Sequence, residues 1–268
     1  MDLGARLQTV AGMVYPGRLV ADIGSDHAYL PIALVLQRIC PQAIAADKNE
    51  GPCQSARRFI ARYGLCDQID VRCGDGLAVL QPGEATTIVL AGMGGRLICD
   101  ILQNALTTAR SAERLVMQPQ KDCASLRTFL AENGWQIDLE QVAQENGFFY
   151  PVIAAVRGKM SLSPLEVKYG PYLMHERPPS FIQMLQYRRS EIRRLLELLA
   201  KESGESAVER RAVLQEEEQE LAIIMRNDRF DNKNKPKGCG YAENIVCASA
   251  AGSFGGSDQH GTDEFVGV

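Results

Sequence analysis

Residues 21–31 read ADIGSDHAYLP. The apolar run that ends at Gly24, RLVADIG, reads as a buried strand, and AYLPIALVLQRI after it reads as a largely apolar helix. Pro31 is tolerated in a helix only near the first turn, where an amide has no intrahelical partner to lose, so the helix starts between Asp26 and Tyr29. A strand, a glycine turn and a helix form one half of a parallel α/β unit. The dinucleotide fingerprint G-x-G-x-x-G would carry more glycine here, and Asp26 interrupts it.

Outward from this stretch the same rhythm repeats. Upstream, MDLGARLQTVAGMV sets Leu3, Leu7, Val10 and Val14 on one side of a helix. Downstream, QAIAAD is a strand, GPCQSARRFIARYG a helix closed by Gly64, and QIDVRCGDG a third strand. TTIVLAGMGG is a fourth strand entering a helix from Gly95 to about Leu106, RLVMQPQ a fifth, and KDCASLRTFLAENG a helix stopped by Gly134. The alternation then breaks. WQIDLEQVA and FFYPVIAAV are separated only by QENG, a connection suited to an antiparallel hairpin. Five parallel units closed by a hairpin suggest an α/β fold, a Rossmann-like class I methyltransferase sheet of seven strands whose last hairpin is antiparallel.

Beyond this first domain, residues 1–158, the composition shifts. SLSPLEVKYGPYLMHERPPS is rich in Pro and turn formers and reads as a linker that packs on the main domain. Residues 181–226 are charged and helical with a break at Ser203-Gly204, which predicts a C-terminal α-helical coiled-coil hairpin within residues 159–230. Leu185, Ile192, Leu195, Leu196 and Leu199 would line its seam against Val208, Val213, Leu214, Leu221 and Ile224. The tail, residues 231–268, is rich in Gly, Ser and Ala and lacks apolar periodicity, so it is expected to be disordered.

Composition limits what such a chain can do. With 268 residues and 46% hydrophobic content it can bury one substantial core and a smaller second unit. There is no apolar run long enough to span a bilayer and no cationic, then apolar, leader, which points to a cytoplasmic protein without a membrane. Eight cysteines without a C-x-x-C pair are expected to be reduced core thiols, with no metal site. A net charge of −4 excludes a protein coated in basic charge but leaves room for a local face that meets phosphate.

In an open parallel sheet, ligands lie beyond the carboxyl ends of the strands where strand order reverses. Asp22 to Tyr29 follow the first strand, Asp47 ends the second, Asp75 the third, and AGMGG the fourth, so all meet at one rim. Gly24 lets a ligand approach the backbone. Asp47, 23 residues after Gly24, is spaced to accept from both ribose hydroxyls, and Asp75 from an adenine amino group. Missing glycines and the Asp26 carboxylate disfavour a pyrophosphate and favour a cationic or zwitterionic adenosine ligand such as S-adenosylmethionine. Each residue also has a plainer reading: Asp22 and Asp26 as helix caps, His27 as a structural histidine, Asp47 and Asp75 as turn residues, and the AGMGG glycines as packing glycines.

ADIGSDHAYLPI, AIAADKNEGPCQSA, VRCGDGL, IVLAGMGGRLI and LVMQPQ, taken together, resemble the TrmK family of bacterial tRNA (adenine-N1)-methyltransferases, over about residues 3 to 228. The resemblance implies methyl transfer from S-adenosyl-L-methionine to N1 of the adenine at tRNA position 22, by a Rossmann-like domain followed by a coiled-coil hairpin. It places Asp22, Gly24, Ser25, Asp47, Asp75, Gly76, Ala91, Gly92 and Met93 around the cofactor. It sets Asp26, His27 and Tyr29 at the chemistry and Gly94 and Gly95 on the substrate side. Arg188, Arg189, Arg193 and Arg194 recur closely enough on the hairpin to form a basic stripe for RNA, or else to pair with Glu191, Glu197 and the EEEQE run. The protein is expected to act as a monomer. Asp47 stands where many relatives would carry Glu, and the tail has no counterpart in the family. A methyltransferase acting on a small molecule or a protein, and a non-catalytic nucleotide-binding scaffold, remain the alternatives. The absence of [DN]-P-P-[YF] disfavours exocyclic-amine methylation.

Overall fold

The computed structural model describes residues 1–202 and 204–226. The expected break at Ser203 and the expected disorder of residues 231–268 lie outside them, in whole or in part. In chain order, helix α1 (Ala5–Gly12) precedes strand β1 (Val20–Ile23), helix α2 (Tyr29–Leu36), strand β2 (Ala43–Asp47), helix α3 (Glu50–Arg62) and strand β3 (Ile69–Cys73). Strand β4 (Thr87–Met93), helices α4 (Gly95–Asn104) and α5 (Leu106–Ser111), strand β5 (Arg114–Pro119), helix α6 (Cys123–Glu132) and strands β6 (Trp135–Glu145) and β7 (Phe148–Arg157) follow.

The seven strands form one sheet in the order β3-β2-β1-β4-β5-β7-β6, with β7 antiparallel to both neighbours and the rest parallel. All four residues of β1 are buried, as expected of a central parallel strand covered on both faces. They alternate between faces: Val20 packs with the α1 and α2 side, and Ala21 and Ile23 pack with the α4 and α6 side. Strand order reverses between β1 and β4, so the carboxyl ends of these two strands, at Gly24 and Gly92, flank the switch point. The last hairpin closes on Asn146-Gly147, both at positive φ (52° and 80°), with Glu145 facing Phe148. This is the two-residue turn that Asn-Gly favours because its twist matches that of the strands. QENG thus supplies only two loop residues, and both strands run longer than their apolar cores suggested.

The expected linker is helical. Helix α7 (Pro164–Tyr169) starts at a capping box in which Ser163 and Glu166 satisfy each other's backbone amides, and α8 (Pro171–Glu176) follows after Gly170. The S-P-L-E spacing carried that signal. A buried ion pair fixes the segment to the sheet. Arg127 of α6 donates to Glu140 of β6 at 2.8 Å and to the carbonyls of Val167 and Lys168 at 3.1 Å each, and the other Glu140 oxygen accepts from the Tyr172 amide at 3.0 Å. Gly170 sits against this pair, where a Cβ would come within 2.5 Å of Glu140.

Helices α9 (Pro179–Leu199) and α10 (Glu205–Arg226) fold back on each other, with Arg188 paired to Glu217 and Arg177 donating to the carbonyl of Ile224. Leu185, Ile192, Leu199, Leu214, Leu221 and Ile224 are buried in the seam, with Leu195 and Leu196 half-buried beside them. Val208 and Val213 are corrected: they are 55% and 63% exposed, and Ala207 occupies the seam in their place. Ala207, Leu214 and Leu221 keep a seven-residue spacing, and the two valines fall out of that phase. The base of the hairpin packs on Val142 of β6 and, through Tyr169 and Leu173, on α7 and α8. Among the described residues, no helix is long and apolar enough to cross a membrane.

Candidate active site

A cavity of about 250 Å³ opens at the switch point. Asp47 and Asp75 line it at the ends of β2 and β3, with Gly24 at the end of β1 and Ala91, Gly92 and Met93 at the end of β4. Gly76 lines it too, so seven of the nine residues expected around the cofactor meet here. Gly24 has φ 79°, and a Cβ there would come within 2.8 Å of the Met93 methyl, so the turn and the close approach both require glycine. Gly92, at φ 80°, is the extra residue of a β-bulge between Ala91 and Met93, which turns the strand end toward the cavity.

The two acids are free for a ligand to different degrees. One Asp47 oxygen accepts from the Asn49 amide at 2.8 Å, which aims the carboxylate at the rim. Asp75 precedes a 3-10 turn, Gly76–Val79, without capping it by a side-chain hydrogen bond. The turn readings thus hold for the backbone at both positions, while both side chains reach the cavity. Lys48 and Asn49, in the loop straight after Asp47, also line it, and Leu97 and Ile101 of α4 form an apolar wall. Position one or two residues past a strand end was the signal for the first pair; no local pattern marked the second.

Asp22 and Ser25 lie beneath this rim and do not line the cavity; both are buried. Burial pushes the Asp22 carboxyl up to about 6, while the Ser25 hydroxyl and the Arg6 guanidinium draw it part of the way back. Arg6, from α1, also donates to Gln118 of β5 at 2.9 Å and lies beside Gly92. Sequence reasoning missed Arg6 and Gln118, because only the tertiary fold brings α1 to the carboxyl ends of β4 and β5.

The SDHA turn stands beside the cavity. His27 and Ala28 hold φ of 58° and 56°, left-handed conformations that cost about 1–2 kcal/mol per non-glycine residue. Two such residues in succession mark a turn that its surroundings hold in place. No side chain caps α2, so Asp26 does not serve as its cap. Its carboxylate is 70% exposed and lies 3.4 Å from His27 Nε2. His27, Tyr29 and Phe59 form a ring cluster with centroids 5.1–5.4 Å apart.

Gly94 and Gly95 open α4. Gly95 is buried, and a Cβ on it would come within 2.5 Å of the Asp122 carbonyl, so for this residue the packing reading holds. The structure gives each of the four arginines of the expected α9 stripe a carboxylate: Arg188 meets Glu217, Arg189 and Arg193 meet Glu218, and Arg194 meets Glu191.

Residues 3–153 match the family described as "Methyltransferase domain". A Bacillus subtilis (strain 168) protein named tRNA (adenine(22)-N(1))-methyltransferase is 39% identical over 201 residues, 71% of this chain and 84% of that protein. The chain belongs to the TrmK methyltransferase family. Two solved structures extend the likeness over 84% of this chain and 100% of theirs. One, from Streptococcus pneumoniae and described as a tRNA (m1A22) methyltransferase in complex with S-adenosyl-L-methionine, is 37% identical with a TM-score of 0.75. The other, Mycoplasma capricolum TrmK in complex with S-adenosyl-homocysteine, is 25% identical with a TM-score of 0.71. In this TrmK-family chain the matched span covers the whole parallel half of the sheet and the cavity at its switch point.

Proposed function

We propose that this TrmK-family protein transfers a methyl group from S-adenosyl-L-methionine to N1 of an adenine in tRNA, at position 22. The observation that carries the reading is the cavity itself: two carboxylates, four glycines and an apolar wall at the switch point of a chain whose relatives bear that activity in their names. The donor set fits the cofactor. On this reading Asp47 accepts from the ribose hydroxyls and Asp75 from the adenine amino group, roles that their position in the cavity lining supports, while Gly24 and Gly92 leave room that a side chain would fill. When bound, the cofactor supplies an electrophilic methyl on a cationic sulfur.

Adenine N1 carries a free lone pair near neutral pH, so the protein needs no base to create the nucleophile. Its work is alignment, which supplies up to roughly 7–11 kcal/mol when the reacting atoms are held in line. As the methyl transfers, positive charge develops on the adenine ring, and the Asp26 carboxylate, free of capping duty, stabilises it. His27 steadies Asp26, and Tyr29 offers an exposed ring to the base. N1 lies on the Watson–Crick edge, so the adenine must leave its stack before it can react. The same reading has residues 1–158 perform the chemistry and the hairpin within residues 159–230 meet the folded RNA. It has the protein act as a monomer, without a metal, in the cytoplasm.

The deciding experiment is methyl transfer from labelled S-adenosylmethionine to unmodified bacterial tRNA, with the product nucleoside identified by mass spectrometry. N1-methyladenosine at position 22 is the expected product. Cofactor binding without any tRNA product would leave the fold assignment standing and overturn the substrate.

A further inference from the structure

A second cleft, of about 310 Å³, opens beside the SDHA turn, between α1 and the C-terminal end of α3. Asp2, Arg6, Leu7, Tyr29, Tyr63 and Glu145 are among the residues that line it, and it shares no lining residue with the cofactor cavity. Tyr29 and Tyr63 are 37% and 44% exposed, a large aromatic area to leave open to water. Tyr29 is braced from behind by Phe59, edge-on at 5.4 Å, and by His27. The Arg62 guanidinium lies over the Phe59 ring of this cluster, 5.3 Å from its centroid. Arg58 and Arg62 are exposed and have no carboxylate within ion-pair distance among the described residues, in contrast to the four hairpin arginines. At the α3 end of the cleft, away from Asp2 and Glu145, unpaired positive charge therefore lies beside two exposed tyrosines, of which Tyr29 is braced, next to the candidate catalytic turn.

We propose that this cleft holds the nucleotide adjacent to the target adenine, its base stacked on Tyr63 while Tyr29, at the edge next to the catalytic turn, stays with the target base, and its phosphate turned to the cationic end of α3. The proposal rests on the tRNA reading above and deepens it. Drawing one base out of a helix leaves its neighbour with a bare face, and aromatic rings replace the lost stacking without reading sequence. The target base must reach the methyl donor in the cofactor cavity. A cleft that borders the catalytic turn but none of that cavity is placed for the next nucleotide along the strand. Glu145, whose Oε1 accepts from the Arg6 amide at 3.2 Å, keeps its second carboxylate oxygen as an acceptor for the edge of the stacked base.

The test uses the full chain with a synthetic tRNA carrying 2-aminopurine beside the target adenine, and the variants Tyr63→Ala, Tyr63→Phe and Arg62→Gln. Both residues are exposed, so the variants remove no core packing, and an unchanged thermal transition checks this. With the wild-type protein the probe should stay quenched in the complex, because a tyrosine ring takes the place of the departed adenine. Tyr63→Ala should let it brighten and raise KM for tRNA roughly tenfold, with cofactor affinity unchanged, while Tyr63→Phe behaves as wild type. Arg62→Gln should raise KM and flatten its salt dependence. An active wild-type enzyme whose Tyr63→Ala variant keeps the same KM and the same quenching overturns the cleft assignment alone. A wild-type protein that methylates no tRNA overturns the substrate reading and the cleft with it.

Discussion

Replacing Asp22 by Asn should stabilise this protein at neutral pH and do nothing for it in acid. Asp22 belongs to the central strand β1, is 7% exposed, and has its carboxyl pushed from 3.8 to about 6, with burial as the largest cause. Below the lower value the acid is protonated in both the folded and the unfolded chain, and an asparagine imitates it. Between the two values the unfolded chain releases its proton while the folded chain keeps it, so stability falls as pH rises; above about 6 the full cost of a buried charge is present. A displacement of about two units, at about 1.36 kcal/mol each, makes that cost about 3 kcal/mol. Urea unfolding of both proteins from about pH 3 to about pH 7 isolates the effect, because every other carboxylate is common to the pair and cancels in the difference. Asp22→Asn should match the wild type at the acid end and exceed it by about 3 kcal/mol at the neutral end. A difference that stays flat across this range, or an Asn variant that is the weaker at neutral pH, would refute the reasoning.

Asp26→Asn should bind cofactor normally, leave stability within about 0.5 kcal/mol, and lower the single-turnover rate roughly a hundredfold; full turnover would remove the electrostatic role. Asp47→Ala should weaken cofactor binding tenfold or more, at about 1 kcal/mol for each of two lost hydrogen bonds, as read by calorimetry. Arg127→Leu strands the buried Glu140 and should cost about 3–5 kcal/mol in denaturant unfolding. In the hairpin, Leu221→Ala should cost about 2–5 kcal/mol, whereas Val213→Lys should stay within about 0.5, and equal costs would contradict the seam described above.

The parallel half of the fold was legible because each strand is a short apolar run that a turn and an amphipathic or apolar helix separate from the next. The cofactor cavity followed from topology: once β1 to β4 are parallel, Gly24, Asp47, Asp75 and Gly92 have to share a rim. What stayed hidden depends on contacts distant in sequence. Arg6 reaches Gln118 across 112 positions, and the helices of 164–176 take shape around Arg127 and Glu140. The hairpin seam was misread at Val208 and Val213 because hydrophobic type alone does not set the phase of a charged helix, whereas the small Ala207 fits where the helices come close. The four hairpin arginines looked available for RNA from their spacing, yet each has found a glutamate.

The Arg127–Glu140 pair has a consequence for how such an enzyme would choose its site. One guanidinium grips β6 and the carbonyls of Val167 and Lys168 together, and Glu140 also holds the first turn of α8. The connector is therefore a strut that ties the chain after residue 158 to the sheet before the helical arm begins. An RNA that touched both the arm and the catalytic rim would be gauged against that strut as by a caliper, and distance along it would count before any base is read.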